Sequence, residues 1–109
     1  MAQMRFERAY ALDDDDVRAR LRALGDYWRA KHGITLRWTS EERVELEGSK
    51  LGVTFRGEVL VGDKRIRADM EANWMAKKLG AQAYVERKLD AYLDPATPLA
   101  ALQARVPRP

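Results

Sequence analysis

Alternating apolar and polar residues predict five β-strands in this chain. In a strand with one buried face, every second side chain is apolar. Stretches with this alternation cover residues 4–12, 34–39, 43–47, 51–61 and 64–73. The last four are joined by short segments of turn-forming residues, and we therefore expect them to form an antiparallel meander.

A second pattern, with apolar residues three and four positions apart, predicts two helices. The first helix begins at the acidic run of residues 13–16, whose charges favour a helix N-terminus and offer a capping side chain. It ends at Gly33, which is expected to adopt a left-handed cap. The apolar stripe of this helix consists of Val17, Leu21, Leu24 and Trp28.

The longest helical pattern covers residues 74–93 and follows Asn73, which is placed to cap the helix. One wide face carries Trp74, Met75, Leu79, Ala81, Gln82, Val85, Leu89, Tyr92 and Leu93. Each large apolar side chain contributes about 1.5–3 kcal/mol when it is buried. We therefore expect this face to pack on the sheet and to anchor the fold.

The order β-α-β-β-β-β-α predicts an α+β fold for residues 1–93, in which two helices cover one face of an antiparallel sheet. This order resembles a trimmed helix-grip arrangement, in which a curved sheet wraps a C-terminal helix. Residues 94–109 are rich in proline and alanine and form a predicted C-terminal tail. We expect the tail to be mobile unless it docks, although Thr97 and Pro98 could begin a short helix.

The space between the sheet and the last helix allows two interpretations. A filled core is favoured, because a chain of 109 residues needs its large side chains for stability. The alternative is a cavity that carries a small apolar ligand, such as a hydroxyacyl chain. The residues expected to line such a cavity are Phe55, Gly57, Val59, Trp74 and Gly80.

Charge is distributed unevenly over the predicted surfaces. The chain has 20 Lys and Arg residues and 17 Asp and Glu residues, which gives a net charge of +3. The outer face of the sheet carries equal numbers of positive and negative side chains, so we expect cross-strand ion pairs there. A surface without net charge binds nucleic acid poorly, so a weak nucleic-acid-binding module ranks third, after an interaction protein and a carrier of an apolar ligand.

The excess positive charge lies on the ends of the chain, at Arg105 and Arg108, and on the last helix. The basic residues of this helix are expected to contact a weak acidic partner or a membrane surface. These residues are Lys77, Lys78, Arg87 and Lys88.

Three arginines, Arg18, Arg22 and Arg29, align on a second face of the first helix. They could bind a phosphate or an acidic partner. A solvated helix flank, with arginine stems covering apolar surface, is the commoner arrangement.

Few residues in the chain suit catalysis. It contains one histidine, His32, and no cysteine, so we expect no metal, no cofactor and no enzymatic activity.

No apolar run reaches the ~20 residues of a membrane span, and the N-terminus has no secretory pattern, which favours the cytoplasm. Arg8 interrupts the alternation of the first strand, which indicates a sheet edge or a bulge. At an edge, a second copy of the chain could pair with this strand to form a homodimer.

The chain resembles the polyhydroxyalkanoic acid system family, small bacterial proteins associated with polyester-granule gene regions. The resemblance covers roughly residues 4–93 and consists of hydrophobic spacing with a few glycines, without a catalytic motif. It is carried by Ala11, Leu12, His32, Gly33, Trp38, Val44, Leu46, Gly52, Val53, Ile66, Arg67, Ala68, Lys88, Leu89 and Asp90. The resemblance implies a non-enzymatic accessory or interaction role in polyhydroxyalkanoate storage, at the granule surface or with granule-associated proteins.

Overall fold

The five strands and the first helix follow one another in the predicted order in the computed structural model, which describes residues 2–50 and 52–106, and three shorter helices come after the last strand. The strands are β1 (Ala2–Ala9), β2 (Thr35–Trp38), β3 (Arg43–Lys50), β4 (Val53–Gly62) and β5 (Arg65–Ala72). The helices are α1 (Asp14–His32), α2 (Trp74–Lys78), α3 (Ala81–Tyr92) and α4 (Leu99–Ala104). Position 51, the predicted start of the fourth strand, and positions 107–109 of the predicted tail lie outside the described residues.

The strands form one antiparallel sheet in the order β1-β5-β4-β3-β2. The predicted meander and the α+β class are therefore confirmed. β1 lies at one edge, as predicted. Arg8, which interrupts the alternation of β1, reaches α3 and pairs with Glu86 at 3.2 Å and Asp90 at 3.1 Å. The predicted homodimer through this edge stays a prediction.

One face of the sheet packs against α1 and α3 and forms the core with them. The predicted stripe of α1 is buried, and Val17 and Leu24 are at most 1% exposed. The sheet contributes its inward-facing residues, among them Met4, Phe6, Val44, Leu46, Phe55, Val59, Val61, Ile66, Ala68 and Met70. Gly33 ends α1 with a left-handed φ of 68°, as expected for a glycine cap.

The outer face of the sheet carries the predicted cross-strand ion pairs. Arg5 lies 2.9 Å from Asp69, and Arg43 lies 2.6 Å from Glu58. Arg56 also pairs with Glu71 on the neighbouring strand. Exposed pairs of this kind contribute little stability, but they leave few unmatched charges on this face.

The predicted single helix over residues 74–93 is wrong, because the chain breaks between α2 and α3. Gly80 adopts a left-handed conformation with φ 81°, which a glycine tolerates at little cost. The apolar stripe is consequently divided between two helix axes. Val85, Leu89 and Tyr92 on α3 are buried, whereas Trp74 is 67% exposed and Leu79 is 73% exposed.

The two predicted helix caps have different outcomes. Asn73 caps α2 as predicted, since its Oδ1 accepts a hydrogen bond from the Ala76 N–H at 3.1 Å. The predicted side-chain cap of α1 is wrong, because Asp13 makes no such bond. Asp14 instead accepts a hydrogen bond of 2.6 Å from the Tyr10 hydroxyl, which ties the start of α1 to the end of the preceding strand.

The segment after α3 returns to α1 and packs on it through α4. Leu102 of α4 is completely buried. Arg20 of α1 is also buried and donates hydrogen bonds to the carbonyl oxygens of Tyr92, at 3.2 Å, and Asp94, at 3.1 Å. α1 therefore holds both the end of α3 and the segment that follows it. The predicted domain boundary between residues 93 and 94 stays a prediction.

Across the described ranges, none of the helices has the length and apolar character required to cross a membrane.

Candidate functional site

An apolar groove opens between the sheet, the C-terminal end of α1 and the break between α2 and α3. Its volume is 520 Å³, which falls within the range of about 300–1,000 Å³ typical of small-molecule sites. The groove is lined by Trp28, His32, Ile34, Gly48, Ser49, Val53, Phe55, Ala76, Leu79, Ala81, Tyr84, Val85 and Arg87. Most of these side chains are apolar. Ser49 meets Thr54 on the sheet, and the remaining polar side chains, His32, Tyr84 and Arg87, come from the end of α1 and from α3.

The sheet wall of the groove comes from paired positions on β3 and β4. Gly48 lies opposite Phe55 in the register of these strands. A Cβ atom at Gly48 would lie only 2.8 Å from the Ile34 side chain. The absence of a side chain at Gly48 therefore allows Ile34 to lie against the sheet and to complete the apolar floor with Val53.

The helix wall carries a polar cluster of three side chains. The Tyr84 hydroxyl accepts a hydrogen bond of 3.3 Å from Trp28 Nε1 and lies 3.1 Å from His32 Nε2. The His32 and Tyr84 rings also meet edge to face, with centroids 5.8 Å apart. Burial raises the pKa of Tyr84, while the Trp28 hydrogen bond and the positive charge of Arg87 lower it, and the net direction is upward. Tyr84 therefore remains a neutral phenol at physiological pH.

Two cationic side chains flank this cluster on α3, and they have different environments. Lys88 Nζ lies 4.5 Å from the centroid of the Tyr27 ring and 5.8 Å from that of Tyr84. Arg87 is exposed, lines the groove, and has no ion-pair partner among the side chains that the structure describes. Arg87 is therefore the cation that is available to a molecule entering the groove.

Exposed apolar side chains stand beside the groove on α2 and the α2–α3 break. Trp74 and Leu79 are the most exposed of the large apolar side chains in the described ranges. Lys78 Nζ lies 5.9 Å from the centroid of the Trp74 ring. We call Trp74, Lys78 and Leu79 the α2 patch. Leu79 belongs both to the patch and to the groove lining, so the two form one continuous surface.

Only some of the residues predicted to line a cavity lie at the groove. Phe55 lines the groove, and Gly80 forms the break between the lining residues Leu79 and Ala81. Val59 is buried in the core and Trp74 lies outside the groove. Gly57 lies close to the neighbouring strand, because a Cβ atom there would be 2.3 Å from the Asp69 carbonyl oxygen. The close approach of the two backbones at Gly57 leaves no room for a side chain there.

The predicted basic surface of the last helix is divided by the break. Lys78 and Arg87 are exposed, whereas Lys88 is partly covered by aromatic rings. Lys77 belongs to α2, but its side chain lies outside the described part of the structure. The structure therefore places Lys78 in the α2 patch and Arg87 at the groove.

Of the three aligned arginines of α1, Arg18 is set apart from Arg22 and Arg29. Arg18 donates to the Glu41 carbonyl oxygen and to Asp15, both at 2.7 Å. Arg22 lies 5.0 Å from the centroid of the Trp38 ring. Arg29 is exposed, and with Arg22 it borders a small depression of 210 Å³ beside Trp38. The structure shows Arg18 as a link between α1 and the loop after β2.

The sequence pattern did not reveal the cluster of Trp28, His32 and Tyr84. Tyr84 lies 56 residues from Trp28 and 52 residues from His32, so no spacing motif connects them. Arg20 was also missed, because a buried arginine looks like its exposed neighbours in an Arg-rich helix. Within the described ranges, no group of His, Cys, Asp and Glu residues has the arrangement of a metal site.

These features define a small α+β protein with an antiparallel sheet, a covered core and an apolar groove beside an exposed patch. The chain belongs to the family described as "Putative polyhydroxyalkanoic acid system protein (PHA_gran_rgn)", whose model matches residues 4–96. The predicted resemblance is therefore confirmed. The chain is thus a protein associated with the polyhydroxyalkanoate system.

Comparison with solved structures gives a distant similarity. The chain is similar to the structure titled "Crystal structure of the di-domain ARO/CYC BexL from the BE-7585A biosynthetic pathway", with a TM-score of 0.37 and 13% sequence identity. The match covers 99% of this chain and 51% of that chain, so the chain spans about half the length of that protein. No curated protein matches the chain at a significant level.

Proposed function

We propose that the protein is a non-enzymatic accessory protein of polyhydroxyalkanoate storage, and that it attaches to the granule surface through the α2 patch. Membership of the polyhydroxyalkanoic acid system family supports the link to storage. The proposal assigns the protein to the cytoplasm, at storage granules. Its partner is the granule surface or a protein bound there.

The observation that carries the attachment is the exposure of Trp74 and Leu79. These side chains are 67% and 73% exposed, although the helical pattern of the sequence would allow them to face the core. Inserting large apolar side chains into an apolar phase yields about 1.5–3 kcal/mol each. Tryptophan also suits a boundary between water and an apolar phase, because it combines a large ring with a polar N–H group.

The positive charge of Lys78 supports the same surface. Lys78 lies beside Trp74, so one contact can combine apolar insertion with attraction to anionic groups at a granule surface. A basic residue near an anionic surface contributes about 1 kcal/mol, and salt screens this contribution. We therefore expect attachment to weaken, but not to disappear, at high salt.

The test is co-sedimentation of purified protein with isolated granules. The double variant Trp74→Ser and Leu79→Ser should bind at least about tenfold more weakly, because both apolar insertions are lost. The matched control is Leu60→Ser, which removes another exposed leucine, 42% exposed, from the outer face of β4. Undiminished binding of the double variant, or an equal loss in the control, would contradict attachment through the α2 patch.

A second variant separates charge from apolar contact. Lys78→Glu should reduce binding at low salt, and the difference from the wild type should shrink at high salt. Arg29→Glu makes the same change of charge on an exposed position of α1, and it should have little effect. Equal losses from the two substitutions would show that net charge, not the α2 patch, determines attachment.

A further inference from the structure

The groove has two chemically different ends, and this difference is the starting point for identifying a ligand. Its floor is formed by the apolar side chains of Ile34, Val53 and Phe55. Its polar end is formed by the side chains of Tyr84 and Arg87, which lie three positions apart on the same side of α3. A molecule that matches both ends has an apolar body and a single anionic head.

Arg87 supplies the charge selectivity of the polar end. The side chain lines the groove without an ion-pair partner among the described residues. Acidic side chains are also absent from the described residues that line the groove. The potential at this end is therefore positive, and an anion entering here displaces no bound carboxylate.

The geometry points to a free aliphatic monocarboxylate as the ligand of the groove, with its hydrocarbon chain on the apolar floor and its carboxylate at Arg87. A guanidinium binds a carboxylate through two parallel N–H···O bonds. The Tyr84 oxygen accepts the Trp28 N–H, and in the tautomer in which His32 Nε2 donates to the same oxygen, the single Tyr84 proton is donated to a bound carboxylate oxygen. The inference concerns the groove alone and does not require attachment to granules.

The chemistry of the lining argues against other small ligands. A sugar or a nucleoside needs several hydrogen-bonding partners along its whole length, whereas polar groups are concentrated at one end of this groove. A cationic amphiphile would meet Arg87 as a like charge. An uncharged alcohol of equal chain length would keep the apolar contacts and lose the charged hydrogen bonds.

The probes are decanoate, decanol and decyltrimethylammonium, each below its micelle concentration, with binding to the full chain measured by isothermal titration calorimetry. Decanoate should bind most tightly, and the cationic probe should bind at least about tenfold more weakly, since charged hydrogen bonds are replaced by repulsion. Failure of decanoate to bind, or equal binding of the cationic probe, would overturn the inference.

Two matched pairs of variants locate the ligand. Arg87→Gln should weaken decanoate binding about tenfold and leave decanol unchanged, whereas Arg29→Gln, on α1, should change neither. Ala81→Phe should block both probes by filling the groove, whereas Ala83→Phe, at an exposed position of the same helix, should block neither. Equal effects within either pair would overturn the placement of the ligand.

Two further measurements keep the result interpretable. Circular dichroism checks that Ala81→Phe is folded, and Val53→Trp, on the inward face of β4, fills the groove from the sheet side if it is not. Granule co-sedimentation of Arg87→Gln is measured in parallel. Loss of decanoate binding with intact sedimentation would support the groove as a separate site, and intact decanoate binding in Arg87→Gln would overturn the inference whatever the granule result.

Discussion

Tyr84 joins two elements, α1 and α3, at the polar end of the groove. Its hydroxyl meets Trp28 and His32, which lie on the last turns of α1, while its ring is held on α3. Trp28 is only 3% exposed, so its indole N–H has little access to water and depends on this one oxygen. A buried donor that loses its partner costs more than the average hydrogen bond contributes.

We predict that Tyr84→Phe lowers the free energy of unfolding by about 1–3 kcal/mol, because Trp28 Nε1 is left without a partner. Urea denaturation followed by fluorescence measures this difference. Tyr27→Phe is the control, since Tyr27 is a partly exposed tyrosine for which the structure shows ring contact with Lys88. An equal free energy of unfolding for Tyr84→Phe and the wild type would contradict the role of this hydroxyl.

The Tyr10–Asp14 hydrogen bond has a consequence for the pH dependence of stability. The bond from Tyr10 stabilises the charged carboxylate and lowers the pKa of Asp14 from its usual value of 3.8. A carboxyl group with a lowered pKa in the folded state stabilises the fold above its unfolded pKa, and this contribution is lost as pH falls through the folded pKa. The contribution is therefore present at neutral pH and absent in strong acid.

We predict that Tyr10→Phe is less stable than the wild type at pH 7 and that the difference narrows as the pH falls below about 4. Thermal unfolding at several pH values measures the effect. Asp14→Asn should remove the same pH-dependent part of stability, which provides an independent control. A difference between Tyr10→Phe and the wild type that does not change with pH would rule out the carboxylate as its cause.

At the scale of elements, the break at Gly80 determines what the last third of the chain exposes. A continuous helix would have continued the axis of α2 into α3 and carried Trp74 and Leu79 on the same stripe as Val85. The left-handed Gly80 separates the two axes, so α3 packs on the core while the α2 patch remains in solvent. The groove and the patch both depend on this single residue.

We predict that Gly80→Ala lowers the free energy of unfolding by about 1–2 kcal/mol, because an L-residue is strained in the left-handed region. A Cβ atom there would meet nothing within 4 Å, so the loss reflects backbone conformation alone. Gly33→Ala is the matched comparison and should lose a similar free energy of unfolding, since Gly33 is also left-handed with open space around it. An increase in stability in Gly80→Ala would instead favour a continuous helix over residues 74–93.

The same elements show how far the sequence could predict the fold. Period-two alternation located the meander, because residues such as Val44, Val59 and Ile66 must face one core. Helical periodicity identified the stripe of α1 for the same reason. It failed at Gly80, since a glycine within a regular pattern is compatible both with a continuous helix and with a left-handed break. Tertiary contacts decide between the two.

The candidate site was less predictable than the fold, for a physical reason. A groove is what remains when side chains from distant segments do not fill a space, and no local pattern encodes an unfilled volume. Phe55 was predicted as a lining residue because it faces inward, but Val59 faces inward too and is packed in the core. The difference between them is position, because Phe55 lies at the groove beside the start of α3 and Val59 does not.

At the scale of the whole molecule, the segment after α3 is joined to α1 by both polar and apolar contacts. Arg20 binds the carbonyl oxygens of Tyr92 and Asp94, and Leu102 is completely buried against α1. Arg20 is 3% exposed in the fold, and a mobile tail would leave its guanidinium with only part of its hydrogen bonds. The stability of α1 should therefore depend on residues beyond position 93.

We predict that Leu102→Ala lowers the free energy of unfolding by about 2–5 kcal/mol, the range for truncating a buried leucine. Removal of every residue after position 93 should cost at least as much, because it also removes the Asp94 carbonyl oxygen that Arg20 binds. Chemical denaturation of both variants, with Leu99→Ala at a partly exposed position of α4 as control, measures the effect. Wild-type stability of the truncated chain would show that residues 1–93 form the whole folding unit, whereas a loss in both variants would extend that unit to α4.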